Sequence, residues 1–254
     1  MKLNRALALA SAPALSLFAS CHIHIDDTSG SWSVNGVHLE EEHVDSIEVL
    51  RWDPAGLEID VGVGDVTVLA TDGASEIEAT LRETEPGDAR LEYREGKLSW
   101  ETRSEEPAAI TNVIVRVNGQ LPSLTISTGA GDVDIRDVVI LNALIVSTGA
   151  GDIRVSGVGR LTASEFESGA GDIRLSGFKS PMVMASSGAG DLDLRDITTD
   201  QAELSSGVGD ISAKDCQLGV VDASTGIGDI DVSESGYTEA DLSTGIGDID
   251  RADG

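Results

Sequence analysis

The second half of the sequence is built on one short phrase, Gly-x-Gly-Asp followed by an aliphatic residue. Its seven copies begin at residues 129, 149, 169, 188, 207, 226 and 245, so successive copies are 20, 20, 19, 19, 19 and 19 residues apart. An isolated eighth copy, Gly62 to Val66, stands well upstream. A fixed period of this size predicts stacked supersecondary units, none of which can bury its apolar face alone.

The repeating unit is predicted to be a coil of short strands. Apolar and other residues alternate on each side of the first phrase, and the alternation shifts by one residue inside the phrase. The apolar positions are Leu124, Ile126, Ala130, Val133 and Ile135. Alternation indicates strands, and the Gly-Asp step indicates a corner. Two glycines per repeat and many β-branched residues disfavour a helix. The sequence therefore predicts an all-β fold, a single parallel β-solenoid of about seven regular rungs.

Stacking in register turns each repeat position into a column of like residues about 4.8 Å apart. Three apolar columns are predicted to form the core. The first contains Val133, Ile153, Ile173, Leu192, Ile211, Ile230 and Ile249. The second contains Ala130, Ala150, Ala170, Ala189, Val208, Ile227 and Ile246, and the third contains Val138, Val158, Phe178, Ile197 and Cys216.

A column of aspartates is the main candidate for a binding function. Its members are Asp132, Asp152, Asp172, Asp191, Asp210, Asp229 and Asp248. Carboxylates about 5 Å apart repel by about 1 kcal/mol in water, and more where solvent is partly excluded. Two hypotheses explain how the repulsion is offset: each Asp caps backbone N–H groups at its corner, or a row of Ca²⁺ ions bridges successive rungs. The nine-residue repeat of known calcium solenoids is absent, which disfavours strong calcium sites.

Other polar columns also have structural and functional interpretations. The corner glycines are Gly129, Gly131, Gly149, Gly151, Gly169, Gly171, Gly188, Gly190, Gly207, Gly209, Gly226, Gly228, Gly245 and Gly247. A hydroxyl column, Thr128, Thr148, Ser168, Ser187, Ser206, Thr225 and Thr244, either satisfies neighbouring backbone groups or presents a polar strip to a glycan. Arg154 and Arg174 are predicted to share an outward column with Asp134 and Asp193, which relieves like-charge stacking.

The N-terminus has the pattern of an export sequence. Lys2 and Arg5 precede the apolar run Ala6 to Ala19, and small residues precede Cys21. Residues 1–20 resemble a bacterial lipoprotein signal peptide, which implies lipidation of Cys21; the alternative is an ordinary secretory signal. Residues 21–43 are polar and are predicted to be a tether. Cys216 would then be a buried small hydrophobe, with no intramolecular disulfide partner.

Residues 44–122 are strand-like but irregular. A hairpin is predicted from Leu91 and Tyr93, through Glu95-Gly96, to Leu98 and Trp100. An open terminal rung exposes unpaired backbone and apolar side chains. This segment is therefore predicted to be the N-terminal cap and first turns, with the regular repeats in residues 123–254.

These features together resemble a known family. An exported start, an irregular β segment and tandem Ser-Thr-Gly-x-Gly-Asp-Ile rungs are similar to the bacterial "putative adhesin" family, domain of unknown function family 4097, and to its relatives with auto-transporter-adhesin-like heads. The resemblance covers roughly residues 45–250. It implies a right-handed β-helix at the cell envelope, at the outer membrane in a Gram-negative organism.

Charge and motif content restrict the function. The chain has 45 acidic and 17 basic residues, a formal charge of −28, which argues against binding to nucleic acid or anionic lipid. No His lies among the rungs, so no catalytic constellation stands out. The sequence predicts a non-enzymatic, lipid-anchored envelope protein without a cofactor that binds a protein or glycan. Alternatives are a calcium-dependent adhesin or scaffold, a carbohydrate-active β-helix enzyme and, for the last rung, end-to-end self-association.

Overall fold

A computed structural model of the chain describes residues 23–26, 31–34, 37–39, 41–104 and 106–251. The predicted signal peptide and Cys21 lie outside the described residues. All regular structure in the described part of the chain is β-strand. None of the described segments forms an apolar helix of membrane-spanning length.

Eleven strands precede the regular repeats. They are β1 (Ile23–Asp26), β2 (Ser31–Val34), β3 (Val37–Leu39), β4 (Glu41–Glu48), β5 (Leu57–Val63), β6 (Asp65–Ala70), β7 (Glu76–Glu83), β8 (Ala89–Arg94), β9 (Lys97–Thr102), β10 (Ala109–Val117) and β11 (Gln120–Leu121).

Twelve strands form the repeats. They are β12 (Leu124–Ala130), β13 (Val133–Arg136), β14 (Val139–Ile140), β15 (Ala143–Thr148), β16 (Ile153–Arg160), β17 (Ala163–Ser168), β18 (Ile173–Ala189), β19 (Leu192–Arg195), β20 (Thr198–Val208), β21 (Ile211–Ile227), β22 (Ile230–Ile246) and β23 (Ile249–Asp250).

The repeats stack in register as a parallel β-solenoid, which confirms the predicted fold. β12 pairs in parallel with β15, and β13 with β16, so that Thr128 lies opposite Thr148 and Val133 opposite Ile153. The same pairing continues to β22 and β23. A second corner follows the β13-like strand in five of the rungs. It has a positive φ of 51° to 68° and is occupied by Asp or Gly: Asp137, Gly157, Gly177, Asp196 and Asp215. Short Asp and Gly tolerate this conformation better than bulky residues.

Two of the three predicted core columns are buried. The first is fully enclosed from Val133 to Ile230, and only its last member, Ile249, is partly exposed. The third is buried from Val138 to Cys216.

The second predicted core column is wrong. Its small members lie on the outside, and Val208, Ile227 and Ile246 are 52%, 50% and 69% exposed. The alternation that begins at Leu124 ends at Thr128, because the glycine pair then bends the chain into the next side of the rung. The hydroxyl column takes the inward position, and the residue between the two glycines lies on the outer side of the bend.

The upstream copy of the phrase forms the rung adjacent to the first regular one. β5 pairs in parallel with β12, and β6 with β13, so Val66 lies opposite Val133. The Gly64 N–H donates to the carbonyl of Ala130 at 2.7 Å. Residues 71–122 are therefore an insertion between two rungs that are neighbours in space.

The insertion builds a structure on the first rung. β10 pairs in parallel with β6, and β7 pairs antiparallel with both β10 and β4. β8 and β9 form the predicted antiparallel hairpin, with Leu91 opposite Trp100. On the β5 side, β9 forms one parallel ladder pair with the rung, between Glu58 and Lys97.

The segment predicted to be a tether contains three short strands. β1, β2 and β3 form a small antiparallel sheet separate from the solenoid sheet. β4, which belongs to the structure on the first rung, already begins at Glu41, three residues before the predicted boundary. The tethering role of residues 21–43 stays a prediction.

Candidate functional site

The hydroxyl column is an internal hydrogen-bonding system. Each hydroxyl from Thr128 to Thr244 donates to the carbonyl of the second phrase glycine in the preceding rung, at 2.8 to 3.2 Å. Ser187, for example, is 3% exposed and reaches Gly171 O at 2.9 Å. A buried carbonyl without a partner is costly, so this bond explains the Ser or Thr at this position. The column is thus structural and does not form a polar strip for glycans.

The predicted turn glycines stack directly on one another. A Cβ added to any of the fourteen would lie 2.0 to 2.5 Å from the carbonyl oxygen of a glycine in the preceding rung. The second glycine of each phrase also has a φ of 146° to 154°, a conformation that L side chains rarely adopt. Glycine is required here both by the close approach of two backbones and by the positive φ.

The aspartate column caps the backbone between rungs. Asp152 N donates to Asp132 Oδ1 at 2.8 Å, and the same bond links every successive pair from Asp65 to Asp248, at 2.8 to 2.9 Å. In every aspartate of the column except Asp248, the last one, one carboxylate oxygen therefore accepts a hydrogen bond from the next rung. Hydrogen bonds from backbone N–H groups to a carboxylate are charge-assisted, and they offset part of the repulsion along the column.

Arginines neutralise only the first part of this column. Arg154 contacts Asp132 and Asp152, and Arg174 contacts Asp152 and Asp172. The sequence correctly places both arginines in one column with Asp134 and Asp193, but their guanidinium groups pair with the capping aspartates. Asp134 and Asp193 pair instead with Arg136 and Arg195. Across residues 122–251, no ion pair reaches Asp191, Asp210, Asp229 or Asp248.

The charge imbalance follows the same division. Residues 123–195 contain nine acidic and six basic residues, whereas residues 196–251 contain thirteen acidic residues and two basic residues, Lys214 and Arg251. The last three rungs therefore present a surface on which, among the described residues, carboxylates greatly outnumber basic side chains. This surface also carries the exposed aliphatic residues Val208, Ile227 and Ile246.

An outer face on the strands before the glycine corner was not identified from the sequence. One column on it contains Glu165, Met184, Glu203, Asp222 and Asp241, and a second contains Ser127, Ser147, Glu167, Ser186, Ser205, Ser224 and Ser243. A groove of about 240 Å³ lies on this face and is lined by parts of both columns. The 19-residue period that marks the glycines also marks these positions, so the same alignment of repeats could have found them.

No preformed metal site is evident in the described residues. No group of three or more His, Cys, Asp or Glu side chains there is arranged to hold an ion. The calcium column stays a prediction. Cys216, in the third core column, is a free and buried thiol whose pKa is raised by burial, as expected for a cysteine that acts as a core residue.

The fold and its corners define a class of protein, a parallel β-solenoid with capped Gly-x-Gly-Asp rungs. The chain belongs to the family described as Toastrack DUF4097, which matches residues 58–252. Two solved structures described as "putative adhesins" share the fold. One, from Bacteroides fragilis, is 18% identical, with 84% of this chain and 97% of that chain covered and a TM-score of 0.50. The other, from Parabacteroides distasonis, is 14% identical, with 83% and 97% covered and a TM-score of 0.53. Comparison with curated proteins gave no match.

Proposed function

We propose that this chain is a non-enzymatic, lipid-anchored protein of the bacterial envelope whose solenoid binds a protein or glycan through its acidic outer surface. The names of the two similar solved structures, "putative adhesins", support the adhesin-like role. The lipid anchor rests on the pattern that ends at Cys21. An anchor at one end would project an extended solenoid away from the membrane, with its long faces free for contact.

The observation that carries the proposal is the acidic surface of the last three rungs. The carboxylates on its outer face are available for a partner because they have no role in the solenoid corners. Asp222 and Asp241 accept no hydrogen bond from the described residues, and Glu203 accepts one from the side chain of Gln201 at 2.7 Å. A surface of one charge sign raises association rates with partners of opposite charge.

The experiment replaces three carboxylates of one outer column with lysine, Glu203→Lys, Asp222→Lys and Asp241→Lys. Binding of the full-length protein to immobilised glycans and to envelope proteins is measured by interferometry at low and physiological salt. We expect the substituted protein to lose binding to the partner selected by the unsubstituted protein. We also expect binding to weaken as salt rises, because surface charges are screened over about 8 Å at physiological ionic strength.

A matched control makes the same change of charge elsewhere. Asp72→Lys, Glu101→Lys and Glu106→Lys alter three exposed carboxylates outside the regular rungs and should leave partner binding intact. Equal loss in both triple variants would show that only net charge matters. Binding that survives the rung substitutions would contradict the proposal.

A further inference from the structure

A second surface, away from the acidic rungs, has the properties of a binding cleft. It lies between β5 and β9 at the first rung and has a volume of about 540 Å³. Its lining includes Asp60, Gly62, Lys97, Leu98, Trp100 and Ile110. This volume is within the range of ligand-binding pockets.

One wall of the cleft is an unpaired strand edge. β5 pairs with β12 along its length, but with β9 only at Glu58, whose N–H donates to Gly96 O at 2.7 Å. Alternate residues of a strand in a parallel sheet bond to opposite neighbours. Because the Leu57 N–H bonds to the β12 side, the backbone N–H and C=O of Asp60 are directed to the β9 side. The Gly62 carbonyl is turned toward β12, since a Cβ built on Gly129 would lie 2.3 Å from its oxygen. Beyond Glu58, no described strand pairs with that side.

The opposite wall is apolar and contains an accessible aromatic ring. Leu98, Ala109 and Ile110 are buried, whereas Trp100 is 36% exposed. Aromatic rings with one face accessible are frequent anchors in protein interfaces. An apolar side chain that entered the cleft would therefore have a complementary surface beside the free strand edge.

The charges at the cleft select a partner with a basic group. Lys97 Nζ lies 2.8 Å from Glu58 Oε1, and this contact together with the nearby Asp60 raises the pKa of Lys97. Lys97 is thus already paired. Within residues 41–104 and 106–251, no basic side chain lies within ion-pair distance of Asp60, so its carboxylate is free to pair with a cation from a ligand.

We propose that this cleft binds an extended peptide, which adds as a strand to the free edge of β5. The peptide would place an apolar side chain against Trp100 and a basic side chain near Asp60. Main-chain bonds supply affinity in this mode of recognition, and pockets for side chains supply specificity. A glycan fits less well, because few free polar side chains line the cleft, whereas the backbone N–H and C=O of Asp60 offer a strand-like donor and acceptor pair. The site is separate from the acidic rungs, so its test is independent of the test above.

The probe is a fluorescent hexapeptide, Thr-Lys-Val-Thr-Leu-Lys, capped at both ends, and binding to the full-length protein is followed by fluorescence anisotropy. We expect a Kd of about 10–100 µM. Trp100→Ala and Asp60→Lys should each weaken binding about tenfold or more. Leu141→Ala is the matched control, since Leu141 is also an exposed apolar residue, 45% accessible, but does not line the cleft; it should bind as the unsubstituted protein does.

A peptide of the same sequence with N-methyl groups on alternate amides tests the strand edge itself. Two such peptides, methylated on opposite edges, should differ in affinity, because only one edge of the bound peptide forms hydrogen bonds with β5. Several results would overturn the proposal: no saturable binding up to about 1 mM, equal binding of both methylated peptides, or loss of binding in Leu141→Ala as well. Binding of neutral oligosaccharides, but not of the peptide, in a Trp100-dependent manner would replace the proposed ligand with a glycan.

Discussion

Ser205 and Ser206 are neighbours in one strand, yet the structure predicts opposite results when they are substituted. The Ser206 side chain is buried, 3% exposed, and donates to Gly190 O at 2.9 Å. Ser205 faces solvent. Ser206 stacks between Ser187 and Thr225, so threonine already occurs at the adjacent position of the column. Ser206→Thr and Ser206→Val introduce side chains of nearly the same shape that differ in the hydroxyl.

The magnitude follows from the loss of one bond inside the corner. A typical intramolecular hydrogen bond contributes about 1 kcal/mol to stability, and a buried acceptor left without a partner costs about 1–3 kcal/mol. We therefore expect Ser206→Val to be less stable than Ser206→Thr by about 1–2 kcal/mol. Each kcal/mol corresponds to about 2–4 °C in melting temperature for a chain of this size. At Ser205, the Thr and Val variants should agree within about 0.5 kcal/mol, as surface changes usually do.

Urea and thermal unfolding, followed by the circular dichroism of the β-sheet, measure the four variants in parallel. Unfolding midpoints are compared only between variants with the same dependence of unfolding free energy on urea concentration, since long repeat arrays can depart from two-state behaviour. Equal stability of Ser206→Val and Ser206→Thr would refute the conclusion that the inward hydroxyl stabilises the corner. Equal losses at Ser205 and Ser206 would refute the assignment of the inward side.

Four further predictions concern the corners, the anchor and the core. Gly190→Ala should lower the free energy of unfolding by more than about 3 kcal/mol, because its Cβ would lie 2.1 Å from Gly171 O; Gly73→Ala, with nothing nearer than 3.4 Å, should unfold like the parent. Calcium at about 1 mM should raise the unfolding midpoint no more than an equal ionic strength of NaCl, since screening alone relieves repulsion along a capped column; a larger, chelator-reversible rise would establish the calcium sites. Cys21→Ala should abolish incorporation of labelled palmitate and release the protein from membranes, and retained label would disprove lipidation at this residue. Since burial raises the pKa of Cys216, the unfolded thiol ionises first as pH rises above about 8.5; native stability should then fall with pH, and Cys216→Ala should reduce that fall.

The repeat determined most of the fold. The even period, the alternation on both sides of the phrase and the paired glycines together predicted parallel stacking, the first and third core columns and the shared column of Arg154 and Arg174. These features are local, and each recurs so often that one copy supports the interpretation of the next. The hairpin through Glu95-Gly96 was also predictable from local sequence, because its turn and strands are contiguous in the chain.

The tertiary structure decided which way the residues at the corner point and which rungs are neighbours. Alternation by itself assigned Ala130 to the core, but the chain bends after Thr128, so the hydroxyl is inside and Ala130 outside. The copy at Gly62 stacks on Gly129 across an insertion of about fifty residues, a contact that no local pattern encodes. The cleft beside Trp100 arises only because β9 leaves β5 after one ladder pair. Local sequence sets the strand period, whereas the direction of a bend and the divergence of two strands depend on backbone contacts between segments far apart in the chain.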